Sequence, residues 1–254
     1  MVDGLVSIIM PSWNTGRFIA ESIQSVINQT YPNWELLIVD DCSTDNTDKV
    51  VAGFVDKRIR YLKNEKNSGA AVTRNRAMRE AKGEWIAFLD SDDLWTPEKL
   101  EKQLAFMNKH GYVFSYHDYV KIDEESQPLN IYVTGPEIVT KSGMYNYGYP
   151  GCLTFMYSAK AMGLIQIKDI KKNNDYAILL KLCKIADCYL LKENLAQYRI
   201  RKKSISHDKL TKKLKSHYDL FHFCDEQSAP MAFWYACWNM WYGLMKKRKY
   251  EKRM

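Results

Sequence analysis

The sequence predicts an α/β fold with a mostly parallel central sheet and helices on both faces. Two observations carry this. Short apolar runs at residues 6–10, 36–39, 59–62 and 85–89 alternate with amphipathic stretches through the first third of the chain, the pattern of strands joined by crossover helices. Two of those runs end directly in carboxylates, at Asp40-Asp41 and at Asp90-Ser91-Asp92-Asp93. Open α/β sheets place their ligands at that C-terminal edge. A length of 254 residues suits one large domain with an appendage.

The elements follow in order. Residues 6–10 make a first buried strand, and Asn14-Thr15-Gly16 turns the chain. Ile19, Ile23, Val26 and Ile27 recur at helical spacing. The strand at 36–39 leads to Ser43-Thr44-Asp45, which caps a helix carrying Val50, Val51 and Phe54. A short strand at 59–62 and the turn Asn67-Ser68-Gly69 precede a helix from Ala70, with Gly83 expected as its C-terminal cap. The strand at 85–89 follows, then a helix over 97–110 closed by Gly111, then a strand at 112–120. Residues 123–152 are rich in Gly, Pro, Asn and Tyr and read as irregular, the character of a substrate-binding insertion. Helical spacing returns at 174–186, a strand at 188–191 precedes Tyr198-Arg199-Ile200-Arg201, and from Thr211 the pattern is helical to the end.

Composition excludes several classes. Hydrophobic content of 46% and charged content of 26% describe a soluble, ordered protein. No apolar stretch reaches the ~18 residues a membrane span needs, and no signal-peptide layout opens the chain, so a cytoplasmic location is expected. Six cysteines lack C-x-x-C spacing and read as reduced thiols, not a zinc site. The net charge of +7 is concentrated: residues 209–254 hold ten Lys/Arg against four Asp/Glu. The expected division is a body at 1–208, with halves at 1–111 and 112–208, and a basic aromatic tail at 209–254.

Asp90, Asp92 and Asp93 crowd three carboxylates into four positions, which is costly unless a cation or polar ligand shares the site. A divalent metal gripping a phosphate-bearing substrate accounts for them, Mg²⁺ or Mn²⁺ being suited to oxygen ligands. An acidic turn before the helix start Thr96-Pro97-Glu98 is the alternative. No G-x-G-x-x-G follows the first strand, which disfavours a dehydrogenase.

Four ordered blocks resemble family 2 glycosyltransferases: Val6-Ser7-Ile8-Ile9-Met10-Pro11-Ser12-Trp13-Asn14 with Ser22-Ile23-Gln24-Ser25-Val26-Ile27-Asn28-Gln29-Thr30-Tyr31; Glu35-Leu36-Leu37-Ile38-Val39-Asp40-Asp41; Asn67-Ser68-Gly69-Ala70-Ala71-Val72-Thr73-Arg74-Asn75; and Asp90-Ser91-Asp92-Asp93. The resemblance is strong over about 5–110, weaker to about 206, and nearest to bacterial enzymes of surface-polysaccharide synthesis. It implies the glycosyltransferase A fold, a UDP-sugar donor, a divalent metal and inversion at the anomeric carbon. It also implies site residues: Pro11, Trp13, Asp41 and Arg74 around the nucleotide, Asp90 on the ribose or a metal-bound water, and Asp92 on the metal. Asp93 would support that loop. Trp13 stands where relatives commonly have Tyr, which keeps a stacking surface without the phenol.

Asp175 matches the family's catalytic base, needed because a sugar hydroxyl must lose its proton as it attacks. Asn174 and Leu179 depart from the usual neighbours, so Asp169 stands as the fallback base. Arg199, Arg201 and Ser204 fall where relatives close a loop over the diphosphate. Many relatives have His at the position of Arg201, which cannot ligate a metal, and His207 is a substitute ligand to weigh against an ordinary surface histidine.

In the tail, Trp234, Trp238 and Trp241 share a helical face ahead of Lys246-Lys247-Arg248-Lys249. Such a face suits an anionic membrane surface or docking onto the body or a second subunit. No nucleic-acid module surrounds the basic cluster. The expected activity is transfer of a sugar from a UDP-sugar to a saccharide or lipid-linked oligosaccharide, at the inner face of the cell membrane. A non-catalytic nucleotide-sugar-binding protein and a membrane-bound scaffold are the rivals.

Overall fold

A computed structural model describes residues 1–201 and 210–253. Four strands, β1 (Val2–Ser12), β2 (Trp34–Asp40), β3 (Ile59–Lys63) and β4 (Gly83–Phe88), form a parallel sheet in the order β3-β2-β1-β4. All seven residues of β2 are buried, because the sheet is covered on both faces. Ile8, Met10, Leu36 and Ile38 pack in one core; Ile9, Leu37 and Val39 pack in another on the opposite face. That alternation is the period-two consequence of strand geometry.

The crossover helices are α1 (Ile19–Ile27), α2 (Thr47–Ala52) and α3 (Ala70–Glu80). Gly83 does not cap α3, as its sequence position suggested. The helix stops at Glu80, Ala81 is extended, and Gly83 opens β4 instead. A Cβ on Gly83 would sit 2.5 Å from the Leu5 carbonyl oxygen and 2.7 Å from the Ser7 nitrogen. Only glycine lets β4 enter this close to β1. Gly111 does cap its helix, α4 (Lys99–His110), at φ +68°.

Past α4 the sheet becomes mixed. Two-residue β5 (Leu94–Trp95) lies ahead of α4, and β6 (Phe114–Ile122) follows it. The segment expected to be irregular contains β7 (Pro128–Val133), β8 (Ile138–Val139) and α5 (Lys141–Asn146). A single-turn helix at Cys152–Thr154 precedes β9 (Met156–Ser158), which lies antiparallel between β4 and β6. After α6 (Ala159–Met162) and α7 (Asn174–Cys183), the strand β10 (Cys188–Arg199) runs parallel to β6 and antiparallel to β5. It is a twelve-residue strand where only four residues were expected.

The tail is built into the body. α8 (Leu210–Asp219), one π turn at Leu220–Cys224 and α9 (Ala229–Tyr250) are followed by β11 (Glu251–Arg253), which pairs antiparallel with β7. Ala232 and Ala236 of α9 are fully buried in the same core as Phe88 and Tyr176. The tail is therefore no free appendage. No helix among the described residues is long and apolar enough to cross a membrane.

Candidate functional site

The C-terminal ends of β1, β2 and β4 and the start of α7 bring the expected residues to one edge of the sheet. Pro11 lies within β1 and Trp13 just beyond it, with the indole 55% exposed and so available as a stacking surface. Asn14, at φ 51°, accepts through its side-chain oxygen from the Thr44 amide at 2.8 Å, fixing this loop against the one after β2.

The two aspartates ending β2 are buried for different reasons. Asp40 accepts from the Ser43 amide and hydroxyl and from the Tyr61 hydroxyl at 2.7 Å. Asp41 accepts from Asn64 Nδ2 at 2.8 Å, the Ser68 amide at 2.8 Å and the Gly69 amide at 2.7 Å. It holds the two backbone amides that immediately precede α3. The Asp41 carboxylate expected at a uracil is thus chiefly a clamp on the 64–69 loop, with acceptor capacity left for one further donor.

Arg74, one turn into α3, is buried rather than spread on a solvated helix face. Its guanidinium donates to Asp90 and to Asn174 Oδ1, and lies 3.5 Å from the Cys152 sulfur. It is 5% exposed, and its Nε has no partner. Committed to these groups, Arg74 ties the end of β4 to the start of α7 and has no open face toward a nucleotide. Sequence spacing gave no hint of Asn174 or Cys152 as its partners, since they lie 100 and 78 residues away along the chain and meet Arg74 only when the fold closes.

Asp175 sits in the first turn of α7, where the helix dipole favours a carboxylate. Burial nevertheless pushes its carboxyl above the ordinary aspartate range, the Arg74 charge opposing and the Asp90 charge adding to the rise. Asp169, the fallback base, is exposed on the segment leading into α7.

The three carboxylates after β4 diverge. Asp90 meets Arg74. Asp92 Oδ2 pairs with Arg201 Nε at 2.9 Å. Burial raises the Asp92 carboxyl, Arg201 opposing and Asp90 adding. Asp93 turns inward, 1% exposed, and accepts the Arg199 amide at 2.8 Å. Burial, with Asp92 and Asp90 adding, pushes its carboxyl well up.

Arg199 was expected over a diphosphate and is instead a buried rivet. Its Nε donates to the Asp92 carbonyl at 2.7 Å, Nη1 to Ser126 Oγ at 2.8 Å and to the Asp123 carbonyl at 3.2 Å, and Nη2 to Glu21 at 3.0 Å. Strand β10 needs that anchor to support the acidic loop. Arg201 is half-buried, between Asp92 and the Phe18 ring. Ser204 and His207 lie outside the described residues.

Among the described residues no three ligating side chains converge as a closed metal cage. Asp92, partly exposed beside Asp90, fits a different arrangement. Mg²⁺ and Mn²⁺ sites on phosphate substrates commonly use one or two carboxylates, with phosphate oxygens and water completing the shell. The donor set suits a cation that arrives with a diphosphate.

Sequence and fold comparisons bear on the chain as a whole. The family model described as "Glycosyl transferase family 2" matches residues 7–162. The chain is 41% identical, over 81% of its length and 82% of the relative's, to the Bacillus subtilis (strain 168) protein TuaG, named as a teichuronic acid biosynthesis glycosyltransferase. It is 38% identical, over 99% of its length and 98% of the relative's, to the Escherichia coli protein WfgD, named as a UDP-Glc:alpha-D-GlcNAc-diphosphoundecaprenol beta-1,3-glucosyltransferase. The crystal structure of S. aureus TarS 1-349 with UDP-GlcNAc has the same fold, at a TM-score of 0.72 and 21% identity, covering 94% of this chain and 72% of that one.

Proposed function

Because this chain belongs to glycosyltransferase family 2, we propose that it moves a sugar, with inversion, from a UDP-sugar to a hydroxyl of a lipid-linked saccharide in bacterial surface-polysaccharide synthesis. The observation that carries this reading is the grouping of Asp90 and Asp175 about the buried Arg74 at one sheet edge, with Asp92 beside Asp90. The name of WfgD, which pairs a UDP-sugar donor with a diphosphoundecaprenol acceptor, supports the substrate class.

In this mechanism the exposed Trp13 ring and Pro11 form one wall for the base, and the remaining acceptor capacity of Asp41 meets its imide N–H. Asp90 faces the ribose and Asp92 the diphosphate. A bound Mn²⁺ or Mg²⁺ supplies a Lewis acid that neutralises charge on the departing diphosphate. Asp175, kept basic by burial, takes the proton from the acceptor hydroxyl. The oxygen then forms its bond to the anomeric carbon from the face opposite UDP, the bond from that carbon to the β-phosphate oxygen breaks, and its electron pair leaves with UDP. Arg74 positions both Asp90 and Asp175. The reaction takes place at the inner membrane surface, where such an acceptor resides.

The test is UDP release from a panel of UDP-sugars, with and without Mn²⁺, using a short-chain diphosphate-linked acceptor. Metal-stimulated release with one donor is expected. Asp92→Ala removes a surface ligand and no core packing, so it should abolish that stimulation and weaken UDP binding in Mn²⁺ without loss of fold. Near-normal metal-stimulated turnover in that variant would sink the metal assignment. Donor binding without any turnover would leave only a nucleotide-sugar-binding protein.

A further inference from the structure

We propose that the outward face of α9 is a docking surface for an anionic lipid bilayer. This deepens the function proposed above by saying how the enzyme meets a lipid-linked acceptor.

The helix has two faces of opposite use. Its inward face is fixed to the body: Trp238 Nε1 donates to Asn146 Oδ1 at 2.7 Å, and buried Asn239 donates to the Asn146 carbonyl at 3.0 Å and to the Tyr176 hydroxyl. Docking onto the body is thus already satisfied by Ala232, Ala236 and Asn239. On the outward face, Trp234, Trp241 and Leu244 are 59%, 52% and 71% exposed, with Met231, Phe233 and Met245 also open. Trp238, at the border between the two faces, contacts both Trp234 and Trp241, with ring centroids 5.9 and 5.3 Å apart. A soluble monomer rarely leaves so continuous an apolar stripe in water. Tryptophan in such numbers favours the lipid headgroup level, where one end of the ring is wet and the other apolar.

Charge selects the bilayer over a neutral partner. Lys247, Arg248 and Lys249 are all exposed, and Arg248 continues the line of Trp234 and Trp241 two turns on. The nearby acids already have cationic partners: Asp225 pairs with Lys184 at 2.5 Å, Glu226 with Lys168 at 2.7 Å and Glu251 with Lys121 at 2.8 Å. The cations beside the stripe are left to meet anionic headgroups, while the helix lies in the plane of the surface.

The same helix backs the acceptor side of the site. Gly243 lies against Tyr147, where a Cβ would come within 2.9 Å of the ring, and Lys246 Nζ lies 4.6 Å over that ring. Burial, then the charges of Glu251 and Asp175, raises the Tyr147 phenol. Tyr147 thus packs directly against α9 at Gly243 and Lys246.

The experiment is sedimentation of the full chain with phosphatidylglycerol vesicles and with phosphatidylcholine vesicles, at low and high salt. The wild type should pellet with phosphatidylglycerol, less so at high salt, and little with phosphatidylcholine. Lys247→Gln/Arg248→Gln/Lys249→Gln should weaken binding roughly 5-fold per cation removed. Trp234→Gln/Trp241→Gln/Leu244→Gln should abolish it. A melting curve and UDP release with a water-soluble acceptor establish that each variant is folded, since neither set touches the proposed donor or base residues. Unchanged vesicle binding in both variants overturns the proposal. So does a wild type that ignores vesicles and runs as a dimer which the Trp234/Trp241/Leu244 variant makes monomeric, because the occupant is then a second copy. Vesicle binding without transfer to any acceptor would overturn the function proposed above and leave this surface standing.

Discussion

Asp175, the proposed base, has its carboxyl raised by burial while the Arg74 charge opposes that rise. A carboxyl held above the ordinary range takes a proton more readily, and only its deprotonated form can act. Activity is therefore expected to fall as pH drops through that raised value, at a higher pH than an ordinary aspartate would give; a pH profile of kcat/KM checks it. Arg74→Gln removes the charge that holds Asp175 down, so the acid limb should move to still higher pH. Asp175→Asn should cut transfer ~10²-fold or more while UDP binding persists, and equal loss of both in calorimetry and turnover would mark a structural aspartate. Asp41 and Asp90 to Asp93 were legible in the sequence because each group follows an apolar run, whereas Asp175 follows Lys171-Lys172-Asn173-Asn174 and was marked only by the resemblance. The roles of the arginines were not. Arg74 shares its helix with Arg76 and Arg79 and looks solvated until Asn174 and Asp90 close on it. Arg199 looks like a phosphate ligand until the loops at 21, 92 and 123–126 arrive around it.

At the level of elements, the strands read most easily were those buried on both faces. β7 and β11 carry no such signal: Pro128–Val133 is largely exposed, and Glu-Lys-Arg at 251–253 becomes a strand only by pairing with β7. Tertiary context decides such cases over intrinsic preference. β10 was read short because Lys192, Glu193 and Asn194 interrupt its apolar run, at the point where its register with β6 shifts. For α9 the aromatic face was visible but its partner side was not, since nothing in the spacing marks Asn239 as a buried anchor. Asn239→Ala would leave the Asn146 carbonyl without that donor and remove the contact to Tyr176, costing about 1–3 kcal/mol. Thermal unfolding should then fall by roughly 2–4 °C for each kcal/mol lost. An unchanged midpoint would mean that α9 is held by its apolar contacts alone.

Across the whole molecule, the parallel half of the sheet, β3-β2-β1-β4, is the half the sequence announced, and it presents Trp13, Asp41 and Asp90. The mixed half supplies Asp175, Arg199 and Arg201, through pairings between segments far apart in the chain, which no local pattern encodes. Of the contacts that join the halves at the site, Arg201 on Asp92 is the half-exposed ion pair. In thermodynamic terms, under the function proposed above, it would make the metal and the nucleotide heterotropic effectors of each other. Mn²⁺ alone must displace a guanidinium to reach its carboxylate, whereas a diphosphate offers that guanidinium a new anion. Each ligand is then expected to tighten the other by one common factor, as linkage requires, in the range of about 5–150-fold. Paired calorimetric titrations of Mn²⁺ with and without UDP, and of UDP with and without Mn²⁺, measure that factor from both directions. Arg201→Gln should raise the affinity for Mn²⁺ alone and shrink the factor toward one, so that an enzyme which binds its two partners together becomes one that binds them independently.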